Sequence, residues 1–241
     1  MGGRGSTSST GKGQMSAQAS NGVFNVLTNK DAQDMRDAQD SMYDANTTAG
    51  IKMYISNTNY DGKGHSLSQT LNYMLENDMD ITKDSSLAYT DAVMHSAAHQ
   101  LGKNIQLQRG CHDDILRQLG VNNYSKMTES QLQNALVGTT AQFKAYVSSS
   151  YDINKNPFLS KQSGSGVSGG REVKININAN ASTKGVFGAR KQSEIILDKG
   201  TNFRITGVRF AKDSRGNQIY ATPRGRGAMP QIEIDIETWS W

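Results

Sequence analysis

The apolar pattern changes period near Phe143, and that change limits what the chain can fold into. From Val23 to about Leu119 the segments are mainly helical. SLSQTLNYMLE, residues 66–76, carries Leu67, Leu71, Met74 and Leu75 at helical spacing, with Ser66 or Ser68 placed to cap it. SSLAYTDAVMHSAAHQLG repeats the pattern and is expected to stop at Gly102, and TESQLQNALVG adds a helix capped by Thr128. One short strand interrupts this half: IQLQRG, with Ile105, Leu107 and Arg109 alternating. Beyond Phe143 the signals are strands: FKAYVSSS, EVKINI, SEIILD, NFRITGVRF, QIYATP and QIEIDIETW, separated by Gly/Ser loops. Helices first and strands afterwards predict an α+β fold.

The 241 residues are 35% apolar, enough for the core of one domain. A net charge of +4 permits an anionic ligand without requiring one. A single cysteine, Cys111, excludes an intramolecular disulfide and fits a reducing compartment. No apolar stretch reaches the ~20 residues of a membrane span, and the Gly/Ser/Thr-rich opening lacks the apolar centre of a signal peptide. Residues 1–21 read as a disordered tail and 22–241 as one domain. Gly2 and Ser6 match a myristoylation pattern that a low-complexity tail also meets by chance. The expectation is a monomer that acts in the cytoplasm of the cell that makes it, or is delivered into a host cell by some other route, as a phage-borne effector would be.

Three clusters of titratable residues read as structure. His95 and His99 are four apart on the expected helix, a metal-ligand spacing, but Ala97 and Ala98 surround them and no Glu follows His95. CHDD, residues 111–114, reads as a helix start with acidic first-turn residues. Glu233, Asp235 and Glu237 alternate with Ile232, Ile234 and Ile236, the pattern of a half-buried strand. No metal is expected. TPRGRGAMP, with Arg224 and Arg226, could meet phosphates or an acidic surface, although such loops are usually only solvated.

KQSEIILDKGTNFRI, residues 191–205, is different in having company. Gln192 and Glu194 stand two apart at an expected strand start, so both would point to one face. Upstream, YVSSSYD ends a strand in Ser148, Ser149 and Ser150, and Arg109 closes IQLQRG. Arginine, serine triplet and Gln-x-Glu, in that order, resemble the ADP-ribosyltransferases, in the branch that includes the clostridial C3-type exoenzymes. The resemblance runs from about residue 49 onward. AGIKMYISNTNYDGKGHSLSQTLNYML is similar to the family's opening helices, and LQRG to the strand with its first arginine. AYVSSSYDINKNPF resembles the Ser-Thr-Ser strand, and GGREVKININ the strand after it, with Arg171 at a position that is often basic. STKGVFGARKQSEIILDKGTNFRITGV resembles the acceptor-recognition loop, the motif and the closing strands. This chain departs in its middle serine, in Gln108 before Arg109, and in a short loop over 178–191 with Phe187 as its one aromatic.

The resemblance implies a helical region followed by a two-sheet β core, and an NAD-dependent mono-ADP-ribosyltransferase that needs no metal. The chemistry fits these residue types. Breaking the bond from ribose to nicotinamide expels a neutral group from a cationic ring, so no general acid is required. One carboxylate suffices, where an ordinary glycosidase needs two. Glu194 would hydrogen-bond a ribose hydroxyl and stabilise the oxocarbenium-like charge. Arg109 would clamp the pyrophosphate, and Ser148 would hold Glu194 and the ribose, with Ser149, Ser150 and Arg171 also on the NAD side. Gln192, an amide that cannot act as a base, would orient the acceptor. By resemblance that acceptor is an Asn or Gln side chain or a guanine base, on which Phe187 could stack. Two alternatives stay open: an NAD glycohydrolase, with water as acceptor, and a non-catalytic interaction module that keeps the fold.

Overall fold

The computed structural model describes residues 23–153, 171–221 and 227–240. The expected tail over 1–21, Gly2, Ser6, Arg224 and Arg226 lie outside them. Six α-helices are described: α1 (Asn29–Asp40), α2 (Ala45–Ile55), α3 (Leu67–Glu76), α4 (Ser85–Ala97), α5 (Asp114–Gln118) and α6 (Glu129–Leu136). The strands are β1 (His99–Gln100), β2 (Ile105–Cys111), β3 (Thr140–Gln142), β4 (Val147–Ser150), β5 (Val173–Ala179) and β6 (Lys184–Phe187). They continue with β7 (Glu194–Leu197), β8 (Asn202–Phe210), β9 (Tyr220–Ala221), β10 (Met229–Pro230) and β11 (Ile232–Trp239).

The helices start where short polar side chains meet orphan backbone N–H groups. Ser66 caps α3 and Thr128 caps α6, each in a reciprocal capping box with Gln69 or Gln131. Thr28, Asp44 and Asp84 cap α1, α2 and α4. Helix α4 ends at Ala97, earlier than the sequence pattern suggested, because the chain turns into β1. Gly102, at φ +70, makes the following turn and is not a helix cap. His95 and His99 therefore share no helix: His95 Nδ1 lies 2.9 Å from Asp198, and His99 stacks on Tyr43. Among the described residues no group of three or more His, Cys, Asp or Glu side chains is arranged to hold a metal ion.

Nine strands form one sheet in the order β1-β6-β7-β4-β2-β5-β11-β8-β3, and β9 and β10 form a separate ribbon. The joint between β4 and β2 is held in register by a single pair, Gln108 opposite Ser150. It divides the sheet into two halves, β1-β6-β7-β4 and β2-β5-β11-β8-β3. Both contribute to one core: Val147, Phe187, Ile195 and Leu197 from the first half meet Ile105, Leu107, Ile177 and Ile236 from the second. The other face of the first half packs under α2, α3 and α4, where Val186 and Ile196 join Tyr54, Leu71, Leu87 and Met94. Hence β7 carries the unbroken apolar run Ile195-Ile196-Leu197, being buried on both faces. Across β5 and β11, by contrast, burial alternates strictly. Glu233 and Asp235 there pair with Arg209, and Glu233 also with Lys174, as befits a half-buried strand.

Candidate active site

Register decides which side chains of β4 and β7 can meet. Ser148 stands opposite Ile196, and Ser150 opposite Glu194. Side chains alternate along a strand, so Ser148, Ser150, Glu194 and Ile196 share the face turned to the helices. Two helical residues come down onto it. Tyr54 of α2 is buried there, and Asn72 of α3 donates from Nδ2 to the Tyr54 hydroxyl at 2.9 Å and to Tyr146 O at 3.3 Å. Burial raises the Tyr54 pKa well above the usual phenol range, against the Asn72 bond. The Glu194 carboxylate raises it further, whereas Arg109 and the Ser148 hydroxyl lower it. Glu194, Arg109 and Ser148 thus all act electrostatically on this one phenol. Asn72 Oδ1 is buried here without a hydrogen-bond partner, an acceptor left free for a ligand's N–H or O–H.

Arg109 spans the joint of the sheet, its Nη1 donating to Ser148 O at 2.9 Å. It also borders a cavity of about 290 Å³, with Arg171, His112, Lys144, Glu76 and Phe143 among the walls. Burial raises the Glu76 carboxyl above its usual range and Arg109 opposes the shift. Burial pushes the Cys111 thiol on the same wall up to about 11. Arg171 contacts His112 Nε2, and His112 Nδ1 lies 2.8 Å from the buried Glu172. Arg109 and Arg171 on one cavity suit an anionic nucleotide. Glu194, Ser148, Tyr54 and Asn72 do not line that cavity, and Arg109, through its bond to Ser148 O, links the two groups.

The loop before Glu194 departs from the sequence expectation. Gln192 does not begin the strand. It closes a 3₁₀ turn over Arg190–Gln192, and Ser193 follows at φ 49, so the chain becomes extended only at Glu194. A left-handed residue between the two removes the alternation that would have put them on one face. Glu194 is instead held by the loop's own backbone: its Oε2 accepts from Ala189 N–H at 2.9 Å. Gly188 makes room for it, because a Cβ there would stand 2.2 Å from Glu194 Oε2.

Three other expectations are corrected by burial. Ser149 is fully buried and donates to Ile195 O at 2.8 Å, so its hydroxyl ties β4 to β7 on the core side and faces no ligand. Ser150 is also buried and donates to Asp152 O and Gln192 O, bracing the turn. Phe187 lies in β6, 4% exposed, between Arg36 and the edge of Tyr151, where no acceptor can stack on it. Tyr54, Asn72 and Glu76 were given no role from the sequence, although Tyr54 and Asn72 lie in the stretch similar to the family's opening helices. A signal for Asn72 existed: an amide inside the apolar stripe of Leu71, Met74 and Leu75.

The sequence model of the ADP-ribosyltransferase exoenzymes matches residues 45–224, and the chain belongs to that family. Its class is that of an NAD-dependent mono-ADP-ribosyltransferase. Solved structures share the fold. Plx2a, an ADP-ribosyltransferase toxin from Paenibacillus larvae, is 14% identical, with TM-score 0.64 over 88% of this chain and 94% of its own. The C3 exoenzyme of Clostridium limosum is 16% identical, with TM-score 0.60 over 91% of this chain and 98% of its own. A protein from S. aureus, solved with NAD, is 14% identical, with TM-score 0.58 over 91% of this chain and 100% of its own. No curated protein matches the sequence significantly.

Proposed function

We propose that this enzyme moves ADP-ribose from NAD to an Asn or Gln side chain, or to a guanine base, of a macromolecule, and releases nicotinamide. The observation that carries the reading is the Glu194 carboxylate, fixed by Ala189 N–H on the face it shares with Ser148. Glu194 stabilises the ribose cation as the nicotinamide bond lengthens, an interaction stronger in the transition state than in the ground state. Arg109 and Arg171 take the anionic part of NAD, and Asn72 Oδ1 accepts from the ligand. Ser148 orients the sugar. Gln192, half-exposed on its turn, presents an amide to the acceptor, a neutral group that would not select a cationic guanidinium.

The test is NAD turnover by wild type and Glu194→Gln, with biotinylated NAD and a whole-cell lysate as acceptor pool. Label that joins a macromolecule in a Glu194-dependent way supports the reading, and protease or nuclease treatment then names the acceptor class. Nicotinamide release with no label on any macromolecule would make the protein a glycohydrolase. No turnover would leave a non-catalytic module.

A further inference from the structure

Helix α1 lies before the segment matched by the family, yet it grips the loop on which Glu194 depends. Gln39 donates to Gly185 O at 2.8 Å and accepts from Phe187 N–H at 3.1 Å, extending the ladder of β6 beyond the end of β1. Arg36 reaches further along. It is 6% exposed, its guanidinium carbon lies 5.1 Å from the Phe187 ring centroid, and its Nη1 donates to Gly188 O at 2.8 Å. Its Nη2 is buried with no hydrogen-bond partner. Burial lowers the Arg36 pKa and Arg190 lowers it further, although Tyr151 and Asp40 oppose. An apolar side chain of similar volume would fill this place without burying a cation.

What the cation does becomes clear from the peptide it holds. Gly188 C=O and Ala189 N–H belong to one planar unit and point in opposite directions. Arg36 grips the oxygen at 2.8 Å, and the N–H of the same unit donates to Glu194 Oε2 at 2.9 Å. A charge-assisted bond to the carbonyl fixes the plane and polarises the N–H toward the carboxylate. We infer that Arg36 is a positioning residue for the reaction, acting on Glu194 through the Gly188–Ala189 peptide. It touches neither NAD nor acceptor.

This inference rests on the transferase reading of Glu194, and the experiment separates the two. Full-length wild type, Glu194→Asp, Arg36→Met, Arg36→Lys and the Glu194→Asp/Arg36→Met double variant are compared for nicotinamide release, each below its own melting midpoint. Arg36→Met should lower kcat on the order of tenfold while KM for NAD stays within about twofold. Arg36→Lys, which keeps the charge and a donor, should restore most of the loss. Asp at 194 is too short to reach Ala189 N–H, so adding Arg36→Met to it should cost nothing more. Losses that multiply in the double variant, or a raised KM at unchanged kcat, overturn the inference alone. If Arg36→Met does not fold, a kcat unchanged from wild type in Arg36→Gln, which keeps a donor but no charge, overturns it equally. A wild type without NAD turnover overturns the reading and the inference together.

Discussion

Gly188→Ala isolates the loop's hold on Glu194 from everything else. A Cβ at this position would stand 2.2 Å from Glu194 Oε2, 2.7 Å from Cδ and 2.9 Å from Cγ. All three lie far inside the ~3.5–4.0 Å at which non-bonded carbons settle, so the carboxylate must leave its place and with it the Ala189 N–H. A hydrogen bond to a charged group is worth about 1.5–3 kcal/mol, which at 1.4 kcal/mol per factor of ten predicts a fall in kcat of about 10- to 150-fold. The effect should fall on kcat, because the carboxylate works on charge that exists only in the transition state. The backbone itself tolerates alanine, since Gly188 is not among the glycines at positive φ. The melting temperature should therefore fall only modestly, because a gain of up to about 1 kcal/mol from the stiffer unfolded chain offsets part of the lost Glu194 bond. Initial rates of nicotinamide release at saturating NAD, calorimetric NAD binding and a thermal melt give all three quantities. A folded Gly188→Ala enzyme with kcat within about threefold of wild type would refute the reasoning.

Glu76 and Ser149 give further tests. Above its raised pKa the Glu76 carboxylate is ionised, competes for Arg109 and repels pyrophosphate; below it the group is neutral and Arg109 is free. NAD binding should therefore tighten as pH falls through that raised pKa. Glu76→Gln should flatten that dependence and bind NAD on the order of tenfold more tightly at neutral pH by calorimetry. Ser149→Ala loses only the bond to Ile195 O. It should cost about 1 kcal/mol, some 2–4 °C in the thermal midpoint, with NAD kinetics unchanged. A raised KM for NAD would instead return Ser149 to the ligand side.

Much of the fold was legible because it is written in periodicity and caps. Ile175, Ile177, Ile234 and Ile236 alternate with polar neighbours in the sequence and are buried in the core, and Ser66 and Thr128 open their helices as their spacing to Gln69 and Gln131 indicates. Strand β6 was not legible: KGVF is short and holds a glycine, and it is held between β1 and β7, with Gln39 of α1 extending the β1 side. The ordered set Arg109, Ser148 and Glu194 comes to lie on the neighbouring strands β2, β4 and β7, with Arg109 bonded to Ser148 O. The rest of the site is tertiary. Nothing local marks Tyr54 as a neighbour of Glu194, and only packing of α2 onto the sheet brings it there. Gln192 misled for a sharper reason. Ser193 adopts a left-handed conformation that serine rarely takes and that no glycine or asparagine announces.

The burial of β7 on both faces separates two properties that the sequence motif joins. Ile195 points into one core and Ile196 into the other, so a slip of one residue would exchange the two faces of the strand. The Glu194 carboxylate takes its face from this register and its hold from Ala189 N–H, whereas the amide two residues earlier rides on a surface turn. The face on which the carboxylate stands is thus set by core packing, and its exact place by the backbone that opens the turn. A turn of different shape grafted over Arg190–Gln192 would have to leave Gly188 and Ala189 as they are for Glu194 to keep its address, which sets the upstream limit of any exchange in this loop.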